Sequence, residues 1–222
     1  MTASRHRSKA DSAPIHIPVA ISARHVHLTT ESIERLFGAG QTLHPHVPLS
    51  QPGQFAAQET VTLAGPRGRL THVRVVGPAR RQDQVEISRS DAIALGIDAP
   101  IRESGQLMDT PGLVLEGPAG TVALSTGAIC ALRHIHMTPA DADVLGLRDQ
   151  ERVEVAVESP YRRLVFGDVI VRVSSDYSLE LHLDTDEGNA ADLHSGAEGM
   201  LLTPVKAHAH VLRRHPPAVA RN

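Results

Sequence analysis

The chain has 222 residues, of which 41% are hydrophobic and 21% charged, and its formal net charge is −3. This composition supports a packed core in one large domain or two small ones, and it excludes a basic field that would draw in nucleic acid or anionic lipid. Aromatic residues make up only 2%, so base-stacking platforms are not expected, and the single cysteine, Cys130, excludes an internal disulfide and fits a reducing, cytoplasmic compartment.

Along the chain, residues 1–13 are polar, basic and small and read as a disordered tail. Residues 14–23 alternate as a strand, and 31–37 suit a short helix stopped by Gly38 and Gly40. A proline-rich loop over 44–52 leads into strands at 59–64, 70–76 and 84–88, then a short helix at 90–95 closed by Gly96. A hairpin follows from 113–115 and 121–124. The second half has a helix at 139–145, strands at 152–158, 164–173 and 179–183, and a loose tail over 206–222. Short strands with Gly-Pro turns at close spacing argue for β-barrels, and no apolar run approaches a membrane span.

Histidine is the compositional outlier, with 14 residues. Arg24-His25-Val26-His27-Leu28-Thr29 is matched half a chain later by Arg133-His134-Ile135-His136-Met137-Thr138. Each segment follows an apolar stretch and precedes a helix start with a capping hydroxyl and an early acid. In a strand, residues i and i+2 share a face, so each His-x-His pair aims two imidazoles at one point. Two such pairs predict two barrels built alike and related by pseudo-symmetry, each offering half of a metal-rich centre.

A catalytic zinc takes three protein ligands and keeps an open position. Glu86 lies between Val85 and Ile87, and His182 shares one strand face with Glu180; Glu86 and His182 are therefore the third candidates. The competing reading places both on the wet side of a half-exposed strand. His44-Pro45-His46 and His208-Ala209-His210 show how weak the bare spacing is, since proline breaks a strand ladder and the second string lies in the tail. His194 reads as a surface residue. Arg80 and Arg81 precede the Glu86 strand and could grip a phosphate, although spacing alone favours solvated loop charge. Cys130 sits in an apolar run and reads as a small core residue. No nucleophile elbow, Walker loop or dinucleotide fingerprint occurs.

Longer strings carry a family resemblance: Ser22 to Leu28, Pro52-Gly53-Gln54-Phe55-Ala56, Glu59-Thr60-Val61, Gln84 to Ser88, Arg133 to Met137, and His182-Leu183-Asp184-Thr185-Asp186-Glu187. Over roughly residues 15–203 the chain resembles the PduL-type phosphate propanoyltransferases, the phosphotransacylases of bacterial microcompartments and of some free acetate pathways. The resemblance implies two β-barrels capped by short α-helices, with the first strand exchanged into the C-terminal barrel. One barrel would then comprise residues 14–23 and 132–205, and the other 24–131.

The resemblance also implies two divalent metal ions, usually zinc, one on His25, His27 and Glu86 and the other on His134, His136 and His182, with Arg80 contacting phosphate. The implied reaction interconverts acyl-CoA (propanoyl-CoA or acetyl-CoA) plus phosphate with acyl phosphate plus coenzyme A. The implied assembly is a dimer or larger homo-oligomer, with microcompartment shell or cargo proteins as further partners. On the residues, the all-histidine triad carries no ligand charge and would favour phosphate. Rival readings of the same ligands are a metal-dependent thioesterase or other hydrolase, and a non-enzymatic metal-binding microcompartment protein. Gly188 stands where the family more often has alanine, and Ala191-Asp192-Leu193-His194-Ser195 is atypical.

Overall fold

A computed structural model describes residues 15–202. The expected tails at 1–13 and 206–222, with His208 and His210, lie outside the described residues. In chain order the first elements are β1 (Ile15–Ser22), β2 (His25–His27), α1 (Thr30–Phe37), β3 (Pro45–Pro48), β4 (Phe55–Ala64), β5 (Arg69–Gly77), β6 (Gln84–Glu86), α2 (Arg89–Leu95), β7 (Ile101–Arg102), β8 (Val114–Glu116) and β9 (Thr121–Ala123). They continue with β10 (Ala128–Ala131), β11 (His134–Met137), α3 (Pro139–Leu145), β12 (Arg152–Glu158), β13 (Arg163–Val173), β14 (Glu180–Asp184), α4 (Thr185–Ala191) and β15 (Glu198–Leu202).

The mainly β architecture read from the turns is present, and the two units differ in closure. The second half forms a closed six-stranded barrel in the order β1-β14-β11-β13-β12-β15. The first half curls into a nine-stranded half-barrel, β7-β10-β6-β2-β5-β4-β8-β9, with β3 pairing to β4. Each unit has its own apolar core. Val26, Leu28, Leu63, Val75 and Leu115 fill the first, and Ile17, Ile135, Met137, Val155 and Leu181 fill the second.

The halves repeat strand by strand. β2 pairs in parallel with β5 and antiparallel with β6, as β11 pairs in parallel with β13 and antiparallel with β14. The exchange of leading strands is reciprocal. β1 runs into β2 but pairs with β14 and β15, while β10 runs into β11 but pairs with β6 and β7. The exchange is held by burial: Ile17 and Val19 of β1 are 0% and 1% exposed inside the other half's barrel. Burying side chains of this size stabilises by roughly 1.5–3 kcal/mol each.

Several elements depart from the sequence reading, among them the short strands β7 and β10, which it did not contain. The proline-rich loop contains β3, an edge strand whose prolines accompany a register shift against β4. The acid-rich turn after His182 is the helix α4, started by a capping box between Asp184 and Glu187. β15 supplies the last staves of the closed barrel, pairing with both β1 and β12.

Candidate metal centre

Local sequence rules aim the candidate ligands. His25 and His27 on β2, and His134 and His136 on β11, lie at alternate positions of their strands. Their strands run into helices capped by Thr29 and Thr138, two residues beyond the second histidine. The third candidates obey the same rule: Glu86 and His182 each stand two residues before the N-caps Ser88 and Asp184 of α2 and α4. Arg24 grips Asp91, the acid of the α2 capping box, through Nε at 2.9 Å and a terminal nitrogen at 2.7 Å. Arg133 reaches Glu187, the corresponding acid of α4, at 3.4 Å. The arginine before each His-x-His thus ties the histidine strand to the helix that follows the third candidate.

Register brings the third candidate opposite the first histidine in both halves: His25 pairs with Glu86, and His134 with His182. The structure therefore assembles the two expected triads. The potential ligand atoms of His25, His27 and Glu86 lie within 4.8 Å of one another, as do those of His134, His136 and His182. Glu86 is only 9% exposed and Nε2 of the half-buried His182 is sealed from solvent, so neither side chain turns its polar end to water. One cavity of about 20 Å³, room for about one water-sized group, is lined by His25 and Glu86 from one triad and by His134 and His182 from the other.

Hydrogen bonding prepares these side chains as ligands. Nδ1 of His25 lies 2.8 Å from the Ala23 carbonyl, and Nδ1 of His134 lies 2.8 Å from the Leu132 carbonyl. Nδ1 of His27 lies 3.1 Å from the Val76 carbonyl. A carbonyl can only accept, so Nδ1 carries the proton in each case and the Nε2 lone pair is free. Nε2 of His25 and of His27 stand 3.6 and 3.8 Å from the Glu86 oxygens, beyond hydrogen-bonding distance. Bonds of roughly 2.0–2.2 Å around a tetrahedral ion leave neighbouring ligand atoms about 3.3–3.6 Å apart, close to this spacing.

In the second triad both ring nitrogens of His136 are sealed from solvent without a hydrogen-bond partner. Unpaired buried polar atoms of this kind are costly unless something binds them. The residues present thus fit a pair of divalent ions, and a histidine-carboxylate donor set suits zinc.

Electrostatics agree with this picture. Burial, reinforced by His25 and Arg80, lowers the His27 imidazole to about 3. Burial and His182 lower His134 to about 4, and burial and His134 lower His136 to about 2. All three are neutral, ligand-ready bases at neutral pH. Burial alone would raise the Glu86 carboxyl, but His25, His27 and the Ser104 hydroxyl outweigh it and hold it at about 2.

The other singled-out residues fall into place. Arg80 is half-buried beside Glu86 and Tyr177, whereas Arg81 is exposed. His44 is bound 2.7 Å from Glu59, away from both triads, and His46 and His194 are exposed. Cys130 is buried, 3.6 Å from the Ala99 carbonyl, and burial pushes its thiol up to about 11.

The sequence reading missed several groups. Arg172 pairs in register with His136 and lies near Arg80, and its guanidinium carbon sits 5.9 Å from the Tyr177 ring centre. Tyr177 stacks on His136 at 3.9 Å. Gln84 and Ser104 both donate to Glu86, and the Gly105 amide donates to Gln84 Oε1 at 2.8 Å. Glu180 is 8% exposed beside His182, so the second triad is not without a nearby carboxylate.

No helix among the described residues is long and apolar enough to cross a membrane. The family model described as phosphate propanoyltransferase matches residues 18–194. A phosphate propanoyltransferase of Thermotoga maritima is 54% identical over 180 residues, covering 81% of this chain and 86% of its own. Those of Klebsiella pneumoniae and Salmonella typhimurium are 54% and 51% identical over 175 residues, each covering 79% of this chain and 83% of their own. The matched span takes in every strand and helix that carries the two triads, and on it the chain belongs to the phosphate propanoyltransferase family of acyltransferase enzymes.

Proposed function

We propose that this enzyme moves a short acyl group between the thiol of coenzyme A and inorganic phosphate, at two divalent ions held by His25, His27 and Glu86 and by His134, His136 and His182. The observation that carries this reading is the meeting of two largely buried triads of potential ligands across one cavity, with Arg80 and Arg172 beside them. In the acyl-CoA direction a phosphate oxygen attacks the thioester carbonyl, the C–S bond breaks, and coenzyme A leaves as thiolate. Bound ions would supply Lewis-acid polarisation of the carbonyl and stabilise the leaving sulfur.

Arg80 and Arg172 supply paired guanidinium forks that suit a phosphate dianion and orient it toward the carbonyl carbon. Tyr177 stacks on His136 and lies beside the Arg172 guanidinium, which helps to hold the ring and the cation in place. Holding both reactants in one site contributes several kcal/mol, on the order of 7 in favourable cases. No acyl-enzyme is required, which agrees with a high-pKa Cys130 outside the triads.

The test is thiol release from propanoyl-CoA and acetyl-CoA with and without phosphate, before and after chelation. Release that needs phosphate, disappears on chelation and returns with zinc is expected. Release at the same rate without phosphate would make the enzyme a hydrolase and overturn the reading. Propanoyl and acetyl chains differ by one methylene, so discrimination between them is limited to about 1–3 kcal/mol.

A further inference from the structure

The two triads differ by an exchange of chemistry at two paired positions. In the first half, His25 faces Glu86 and His27 faces Gln84. In the second, His134 faces His182 and His136 faces Glu180. One carboxylate therefore belongs to each half. It stands in the triad of the first, with the neutral Gln84 beside it, and beside the triad of the second, where His182 has taken the inner place.

Glu180 is braced for a definite task. The Ser50 hydroxyl donates to its Oε2, and Gln51 Nε2 donates to the same oxygen at 3.1 Å. Gln51 is fixed in turn by Ser178, donating to its carbonyl and accepting from its amide, both at 3.2 Å. Ser50 and Gln51 come from the first half, so the brace crosses between the units. Nε2 of His182 is sealed from solvent and lies 3.2 Å from that same Oε2, off the line of a good hydrogen bond. His182 itself lines the shared cavity.

Resting on the two-ion reading, we infer that Glu180 is a positioning residue for the second ion: it accepts the Nε2–H of His182 and so presents Nδ1 to the metal. The arrangement is a carboxylate–histidine–metal relay, which fixes the tautomer and raises ligand basicity. It also brings one negative charge close to the all-histidine site without occupying a coordination position, leaving room there for a reactant. The Ser50 and Gln51 donors fix the carboxylate where it faces His182.

The experiment is a zinc titration of the full chain against a chromogenic chelator, comparing wild type with Glu180→Ala, Glu180→Gln and His182→Ala. Wild type should take up two ions. Glu180→Ala should weaken one of them about 10–100-fold and leave the other unchanged. Glu180→Gln, whose amide oxygen still accepts from Nε2, should recover part of that loss. A general structural role would lower stability without changing the ratio of the two affinities.

Wild-type affinity for both ions in folded Glu180→Ala overturns the inference and leaves the two-ion reading standing. Loss of one ion in Glu180→Gln as complete as in His182→Ala makes Glu180 a direct ligand and also overturns it. A wild-type chain that binds no zinc removes the two-ion reading and this inference together. If Glu180→Ala does not fold, Ser50→Ala, which deletes one donor to Oε2, should weaken the same ion a few-fold, and no change refutes the relay.

Discussion

Arg80→Ala isolates the phosphate-binding part of the proposal, because the residue's backbone and side chain do separate things. Its amide donates to the Leu28 carbonyl at 2.8 Å, which anchors the loop whatever the side chain is. Burial lowers the guanidinium pKa, Glu86 and Tyr177 pull it back up, and Arg172 opposes them. Among the described residues no carboxylate forms an ion pair with it, so truncation leaves no charged partner stranded. Two charge-assisted hydrogen bonds to phosphate are worth about 1.5–3 kcal/mol each; allowing for water that takes their place, the loss should be about 2–4 kcal/mol. This corresponds to roughly a 30- to 1,000-fold fall in kcat/KM for phosphate, with far less change for acyl-CoA. Removing a half-buried, unpaired cation should leave the urea midpoint unchanged or slightly raised. Initial rates of thiol release across a phosphate series, together with a denaturation curve, test both halves of this argument. An unaltered phosphate dependence with a lowered midpoint would make Arg80 a structural residue and refute the assignment.

Cys130→Ala should retain turnover within a few-fold and lose about 1 kcal/mol of stability, since the thiol is a small buried group with a pKa pushed up to about 11; abolished turnover in a folded variant would point to an acyl-cysteine route. The chelated protein should weaken in acid. His27, His134 and His136 titrate near 3, 4 and 2 when folded against an ordinary 6.5, so below pH 6.5 the unfolded chain binds protons that the folded chain refuses. Their neutral burial is therefore tolerated fully above pH 6.5 and penalised increasingly as pH falls toward the folded values, by on the order of 1–2 kcal/mol per histidine at pH 5. Below pH 4.5 the loss of the Glu86 carboxylate, which is held at about 2, acts in the same direction. Urea midpoints should hold from pH 8 to about pH 6.5 and then fall toward pH 5; a series that stays flat or rises below pH 6.5 would mean that these rings are not buried as neutral bases.

The parts of the site legible in the sequence were those governed by short spacing. His-x-His on a strand has only one geometry, and a lone Glu86 or His182 between apolar residues is conspicuous because a strand alternates. Helix starts were legible from their caps, and α4 could have been read the same way: Asp184-Thr185-Asp186-Glu187 carries the capping-box spacing, masked by Gly188 and Asn189 just beyond. The groups that were missed act across strands or between halves. Arg172 becomes relevant only because β13 runs parallel to β11 in a register that places it opposite His136. Ser50 and Gln51 are more than a hundred residues from Glu180, and nothing local announces their contact. Glu180 itself was visible two residues before His182 on the same strand face, but choosing between ligand and brace requires knowing which oxygen faces which nitrogen. β10 was noticed only as an apolar stretch, because parallel pairing to β6 leaves no mark in nearby sequence.

The reciprocal exchange of strands explains why such a site can be exact in position without a rigid cofactor cage. β1 aligns Ala20 beside His182, and β10 aligns Ile129 beside Glu86, so the third member of each triad is flanked by a strand whose own sequence leads into the opposite triad. Movement of one half would drag the other half's ligand strand with it. Polar ties across the seam add to this, including the Ser90 amide, which donates to Asp186 at 2.8 Å. Within that frame, two like strand-turn-helix units present two like triads, and symmetry alone would make them interchangeable. Phosphate and a thioester are not interchangeable, and the proposed centre must tell them apart. The exchange of glutamate and histidine at Glu86 and His182, answered by glutamine and glutamate at Gln84 and Glu180, breaks the symmetry at the ligands while leaving the backbone repeat intact. One ion would carry its carboxylate as a ligand and the other would feel a carboxylate only through a histidine, so the second keeps the greater pull on an incoming anion.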